Sequence, residues 1–312
     1  MKRLTFFWEV LKETFTMWNK SSSSSYSASL AYYAIFSIPG LMVIIIWVAS
    51  YFFGEEAVHG EISRQISGLM GKEVSASMQE LIANAFIDKD NIFMKTVGVV
   101  SLVLGATSLF IHLQQALNQL WDIEAAPKKA LVKYLLDRAN SMGMILVLGF
   151  LLMITMILTS LVSVFNEFIT HQLGFETYYF MQIVNVVLSF LVIVVVFAFM
   201  FKVLPDVEIS WKSVWSGAIL TSVLFVIGKF LLNIYFSEFK PTSAFGTAGT
   251  IILIMMWINY SCMLIFFGAE FTKVYTYKKG YHISPSKHAK WSSEKLYKDI
   301  EISNKKEIQK DL

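Results

Sequence analysis

Six long apolar stretches, separated by gaps in which basic residues are by turns plentiful and scarce, constrain this 312-residue chain more than any other feature. The stretches are Ala28–Phe53, Ile92–Gln115, Ser141–Phe165, Tyr178–Phe201, Val214–Phe236 and Phe245–Thr272. About 20 helical residues rising roughly 1.5 Å each cross the hydrocarbon core of a bilayer, and every stretch is long enough. In lipid a helix satisfies its own backbone polar groups, so the stretches are expected to be helices rather than barrel strands. The Lys and Arg count then orients them. The N-terminal arm has four (Lys2, Arg3, Lys12, Lys20), Asn118–Asn140 has four, the fourth connection has two (Lys202, Lys212) and the tail from Lys273 has ten, 20 altogether. The first, third and fifth connections have three, none and one, 4 altogether, while Lys95 and Lys229 fall within stretches. The positive-inside rule places both termini in the cytoplasm.

A content of 55% hydrophobic residues and a mean hydropathy of +0.57 are too apolar for a soluble domain of this length. The net charge of +3 says little; its segregation by side carries the information. Cys262 is the single cysteine and lies in the sixth stretch, so no disulfide framework within the chain and no Cys/His zinc pattern is available. Trp8-Glu9 and Lys12-Glu13 interrupt the basic start before any apolar core, so no cleaved signal peptide is expected.

Three regions follow from this pattern. Residues 1–27 form a cytoplasmic arm in which Leu4, Phe7, Trp8, Leu11, Phe15 and Trp18 recur at helical spacing beside Lys2, Arg3, Lys12 and Lys20. Such an amphipathic helix can lie at the membrane interface or pack beneath the bundle. Ser21–Ser25 reads as a polar hinge. Residues 28–275 form the six-span domain, with an external loop, 54–91, expected to hold two short amphipathic helices around Gly68-Leu-Met-Gly71. Residues 276–312 read as a basic, mobile cytoplasmic tail, with an amphipathic helix conceivable near Ser293–Ile302.

Polar residues inside the spans are the candidates for function. In the second span Gly98, Ser101, Gly105, Ser108, His112, Gln115 and Gln119 recur every three or four residues and form one small and polar face. That face suits close helix packing first, with the wall of a polar path, His112 its titratable member, as the alternative. The fourth span carries Gln182, Asn185 and Ser189 on one face. In the fifth, Lys229 shares a face with Ser222 and Asn233, about 22 Å from Val214 and so in the outer half. A buried ammonium is costly in lipid, so Lys229 either snorkels to the outer headgroups or faces the interior to meet an anionic group such as a lipid phosphate. Glu270 lies about 37 Å beyond Phe245, at the cytoplasmic boundary, too far from Lys229 to pair with it. A structural charge cluster of Glu270 with Arg138, Lys202 or Lys273 is expected, against the alternative of a proton or coupling-ion site.

Missing motifs narrow the field. The chain has no glycine-rich phosphate loop, so it is not expected to drive transport with ATP by itself. His59, His112, His171, His282 and His288 are scattered, and no paired carboxylates stand at metal-ligand spacing. Catalytic residues, metal and cofactor are therefore all expected to be none.

Read together, several segments resemble the YihY/BrkB family of bacterial inner-membrane proteins. They are Ser29-Leu-Ala-Tyr-Tyr-Ala-Ile-Phe-Ser-Ile-Pro39, Ala116-Leu-Asn-Gln-Leu-Trp121, Leu204-Pro205-Asp206, Lys229 through Tyr235, Phe245-Gly246-Thr247-Ala248-Gly249, Trp257-Ile-Asn-Tyr260 and Gly268-Ala-Glu270. Two departures are visible: Phe245 where members often carry Tyr, and Asn259 where an aliphatic or aromatic residue is common. The resemblance implies six spans in the bacterial cytoplasmic membrane and a role in transport or in lipid and envelope homeostasis. Members have historically been labelled ribonuclease BN and virulence factor. The ribonuclease label finds no support in these residues, since neither clustered zinc ligands nor an acid/base pair is present.

The expectation is thus an all-α, six-span integral membrane bundle with an N-terminal interfacial helix and no enzymatic activity. Two functions fit: transport or handling of an anionic or amphiphilic envelope compound such as a lipid, or a non-catalytic scaffold in envelope biogenesis. The transport path would use Ser108, His112, Gln115, Gln182, Asn185, Ser222, Lys229 and Asn233. Expected partners are membrane lipids, with anionic headgroups at the basic side and no nucleic acid; assembly into an oligomer is left open.

Overall fold

The structure, a computed structural model, describes residues 2–37, 67, 92–126, 143, 176–239, 247–287, 289–293 and 295. These residues are mostly helical. In chain order they form α1 (Lys2–Lys20), α2 (23–37), α3 (Ile92–Leu120), β1 (Ile123–Ala125), α4 (Glu176–Val203), β2 (Val207–Glu208), α5 (Trp211–Phe239), α6 (Thr247–Lys278), β3 (Ser284–Pro285) and β4 (Ala289–Trp291). Three of the helices contain segments long and apolar enough to cross a membrane: Val186–Val203 in α4, Trp211–Phe236 in α5 and Ile251–Lys278 in α6. The second expected span corresponds to α3, which runs on to Leu120. The first enters the described residues only through residues 28–37 of α2. The external loop and the third span lie outside the described residues apart from residues 67 and 143, and so does the tail beyond residue 295.

Local chemistry accounts for where the helices stop and start. The expected serine hinge shrinks to residues 21 and 22, because Ser23 and Ser27 already belong to α2 and are buried there. The Ser21 hydroxyl donates back to the Trp18 carbonyl at 2.8 Å and meets Ser23 Oγ at 2.6 Å. The turn after α3 carries Asp122, whose φ of 56° lies in the left-handed region that Asp tolerates better than most residues. Ser210 caps α5, its hydroxyl accepting from the Ser213 amide. α6 closes with Gly280 at φ 67°, where the Tyr281 amide reaches back to the Thr276 carbonyl and that of Gly280 to Tyr277.

α5 packs between α4 and α6, while α3 lies against α6. A local repeat sets the α5–α6 crossing. Gly217-Ala-Ile-Leu-Thr221 and Gly268-Ala-Glu-Phe-Thr272 present Gly-Ala-x-x-Thr from antiparallel helices. Each threonine hydroxyl donates to the carbonyl of its own glycine, at 2.8 Å and 2.7 Å, and each fills the space over the other helix's glycine. A side chain at either glycine would collide with the facing threonine. Small residues thus let the two backbones approach, the usual way for apolar helices to associate in lipid. Further along the same crossing, Gly228 faces the ring and hydroxyl of Tyr260.

α1 differs from the expected simple aromatic face. Val10 and Thr14 are buried, and Val10 packs with Phe271 and Val274 of α6, flanked by Phe6, Leu11 and Tyr275. Trp18 sets its ring against Phe267 at 6.0 Å, and Lys278 bonds Glu13 at 2.9 Å. Trp8 and Phe15, at 70% and 59% exposure, point away from that contact. The arm therefore has two apolar edges, one seated on α6 and one open.

The start of the tail is structured too, where the sequence pattern alone reads as a mobile segment. β3 pairs antiparallel with β2, and β4 with β1. The chain leaving α6 thereby stitches together the turn after α3 and the turn between α4 and α5. The Ser286 and Ser292 amides donate hydrogen bonds to the carbonyls of Asp206 and Asp122, at 2.9 Å and 2.7 Å. Strands of two or three residues carry no alternating pattern that a sequence reading could detect.

Candidate functional site

The fifth span's polar face is the most informative candidate because it sets a charged side chain inside an apolar span. Ser222 is fully buried, and its hydroxyl donates to the Ala218 carbonyl at 2.7 Å. That bond within the helix satisfies the hydroxyl, so Ser222 reads as a packing residue. Lys229 and Asn233 are each half-buried, one turn apart, while Ile227, Phe230 and Leu231 around them are exposed. An ammonium held among apolar side chains midway along a candidate span is the least conventional feature of α5.

The second-span face divides. His112 stacks on Tyr33 of α2 with ring centroids 3.7 Å apart, and its Nδ1 lies 2.8 Å from the Ser108 carbonyl and 3.4 Å from the Ser108 hydroxyl. Gly105 admits the Phe36 carbonyl of α2, which would stand 3.1 Å from an added Cβ. These contacts make the face a seat for α2. Gln115 and Gln119 are exposed. Gln182 and Asn185 belong to α4 by backbone, and their side chains lie outside the described residues, as does Arg138.

Of the partners expected for Glu270, Lys273 lies in the same charged group, together with Asp122, and Arg138 is outside the described residues. Glu270 is 3% exposed, and its Oε2 has no hydrogen-bond partner among the described residues. Lys273 and Asp122 are the charges nearest in effect on it. Lys273 turns its ammonium to Asp122 Oδ2 and to the Leu120 carbonyl, both at 2.6 Å. Lys202 is engaged elsewhere, donating to the Ile209 carbonyl at 2.7 Å. Lys273 thus ties α6 to the last turn of α3, where the unpaired carbonyls and the helix dipole favour a cation.

Beside this pair lies a polar clamp that the sequence reading passed over. Asn118 Nδ2 donates to Asp206 Oδ2 at 2.9 Å, the Asp206 amide donates to Asn118 Oδ1 at 2.7 Å, and Gln114 Nε2 reaches Asp206 Oδ1 at 3.4 Å. Gln114 and Asn118 stand four residues apart on the buried side of α3, next to the exposed Gln115 and Gln119. Attention to the mixed small and polar face hid the plain amide pair. Three of the segments that carry the family resemblance, around Asn118, Asp206 and Glu270, meet at this end of the molecule. Among the described residues no group of three His, Cys, Asp or Glu is placed to hold a metal ion.

Comparison with known proteins agrees with the resemblance. A ribonuclease-like protein YfkH of Bacillus subtilis (strain 168) is 24% identical over 272 residues, covering 83% of this chain and 92% of that protein. A UPF0761 membrane protein of Saccharophagus degradans is 24% identical over 262 residues, covering 84% of this chain and 58% of that protein. UPF0761 membrane protein PA0951 of Pseudomonas aeruginosa is 25% identical over 249 residues, 78% of this chain and 57% of that protein. The chain thus spans little more than half the length of the latter two. No solved structure matches it. The family model described as Virulence factor BrkB matches residues 14–292, nearly the whole of the described structure, and with that match the chain belongs to the BrkB family.

Proposed function

We propose that this BrkB-family membrane protein crosses the bacterial cytoplasmic membrane six times, with both termini inside, and transports or handles an anionic or amphiphilic envelope compound such as a lipid. The observation that carries this is Lys229, half-buried with Asn233 on one face of a candidate span whose neighbouring side chains are exposed and apolar. A fixed cation at that depth, reachable from a lipid-exposed surface, matches an amphiphile with an anionic headgroup and apolar tails better than it matches a water-soluble substrate. α1 fits the same setting as an interfacial helix, its open Trp8 and Phe15 edge at headgroup level and anionic lipids as partners of the basic side. The reading involves no catalysis and no nucleic acid. Reconstitution into liposomes with fluorescent anionic and zwitterionic phospholipids tests it: the protein should accelerate transfer of the anionic lipid between leaflets. Transfer no faster than in protein-free liposomes for every lipid tried would sink it.

A second reading has its own observation. The close α5–α6 crossing built on Gly217, Gly268 and their facing threonines makes that part of the bundle solid, as a non-catalytic scaffold in envelope biogenesis would be. A failed transfer assay together with a specific protein partner captured by in-cell cross-linking would favour the scaffold.

A further inference from the structure

Trp257 and Ser261 of α6 are each 7% exposed, and neither Trp257 Nε1 nor Ser261 Oγ has a hydrogen-bond partner among the described residues. They stand four residues apart, on one side of the helix. That side faces α5: the Trp257 ring meets Phe225 edge-on at 5.8 Å, and Tyr260 covers Gly228. The antiparallel crossing that sets Gly217 against Thr272 and Gly228 against Tyr260 brings both residues to the level of Lys229. Asn259 also has an unpaired buried oxygen, but two positions away along the helix it projects to the other side and belongs elsewhere.

Such groups are expensive to keep. A buried donor left unpaired loses its hydration with nothing in return, and the membrane interior offers little water to relieve it. Phe and Ala would fill the same positions at no such cost. An indole N–H only donates, and a serine hydroxyl donates readily, so both call for an acceptor. The positive charge of Lys229, at the same level on the facing helix, favours a negatively charged acceptor there. We infer that Trp257 and Ser261, at the level of Lys229, form a site for the phosphate group of an amphiphile passing through or resting in the α5–α6 face. This deepens the lipid-handling reading and rests on it for the ligand's lipid character; the acceptor chemistry stands on the geometry.

The test uses the full chain in vesicles of phosphatidylethanolamine and phosphatidylglycerol, with a phosphatidylglycerol analogue carrying a photoactivatable headgroup. Cross-links in the wild type should map to the peptide containing Trp257 and Ser261. Trp257→Phe with Ser261→Ala should lower them by about tenfold or more, as expected when hydrogen bonds to a charged group are removed. Its melting midpoint should be unchanged or higher, since two unpaired donors are gone; each single variant should show an intermediate loss. Competition by millimolar inorganic phosphate would assign the same site to free phosphate, and the absence of competition assigns it to the lipid. Headgroup cross-links mapping to other peptides, or unaffected by the double variant, would overturn the site. The two ideas fail separately. Loss of the site with lipid transfer intact leaves the lipid-handling reading standing, whereas site-specific cross-links without any transfer remove that reading and leave a phosphate site.

Discussion

Lys229 and Asn118 mark the two ways a polar side chain earns its place inside an apolar bundle. Lys229 sits where burying its charge has a cost in lipid, so its removal tests function rather than folding. Lys229→Met keeps the apolar stem and should insert and accumulate like the wild type, yet lose anionic-lipid transfer in the reconstituted assay, with Lys229→Arg retaining part of it. Full transfer by Lys229→Met would take the residue off the candidate path. Asn118 is the opposite case, because both of its polar atoms bond Asp206. Asn118→Ala should destabilise the protein by about 2–4 kcal/mol, from an unpaired amide and a weakened carboxylate acceptor, while Gln115→Ala, on the exposed side, should shift stability by no more than about 0.5 kcal/mol. Thermal melting of the two purified variants checks the contrast, and equal midpoints would contradict the clamp. Sequence reasoning chose Gln115 and missed Asn118 because hydrophobic periodicity says that a helix is amphipathic, but in a membrane both sides of a helix can be buried. Which polar side meets protein is decided by the partner helices, and no single-chain pattern encodes them.

Elements were legible to the degree that they obey one rule. α4 and α5 fell within a few residues of the expected spans, and α6 ran on to Lys278, because in lipid a long apolar run satisfies its own backbone polar groups as a helix. The arm was half legible: its aromatic periodicity announced a helix, but the buried edge at Val10 and Thr14 depends on the shape of α6 beneath it. The α5–α6 crossing was legible in principle, since Gly-Ala-x-x-Thr occurs in both helices, but two short copies mean nothing until the helices are known to face each other. That crossing gives a prediction at this scale. Gly268→Ala places a methyl group against Thr221 Oγ1, and helix separation or a forced rotamer should cost about 1–3 kcal/mol. Thr221→Ala opens the space that the methyl needs. The double variant Gly268→Ala, Thr221→Ala should therefore be more stable than the sum of the single effects allows, read as a positive coupling in melting experiments. Strict additivity would mean that the two residues do not touch.

At the scale of the whole molecule, charge segregation and the strand clasp point to the same end. The clasp joins the turn after α3, the turn between α4 and α5, and the segment following α6, which is also where the basic residues gather. If the positive-inside rule governs this chain, the clasp lies in the cytoplasm and the α6 exit, Lys273 and Glu270 mark the inner boundary. The alternative orientation would expose ten tail cations outside and leave the acidic first connection, with seven Asp and Glu, facing inward. A Cys262→Ser background removes the single native thiol, and Lys287, exposed just before β4, gives a reporter position on the clasp side. Ser75, in the first connection, gives one on the other. In intact cells a membrane-impermeant maleimide should label Ser75→Cys and spare Lys287→Cys, and permeabilisation should make Lys287→Cys reactive. Labelling of Lys287→Cys in intact cells would invert the topology and place Lys229 nearer the inner leaflet. Lipid capture at the proposed site would then begin from the cytoplasmic side, since the depth of that cation relative to each surface follows from which end of α5 enters first.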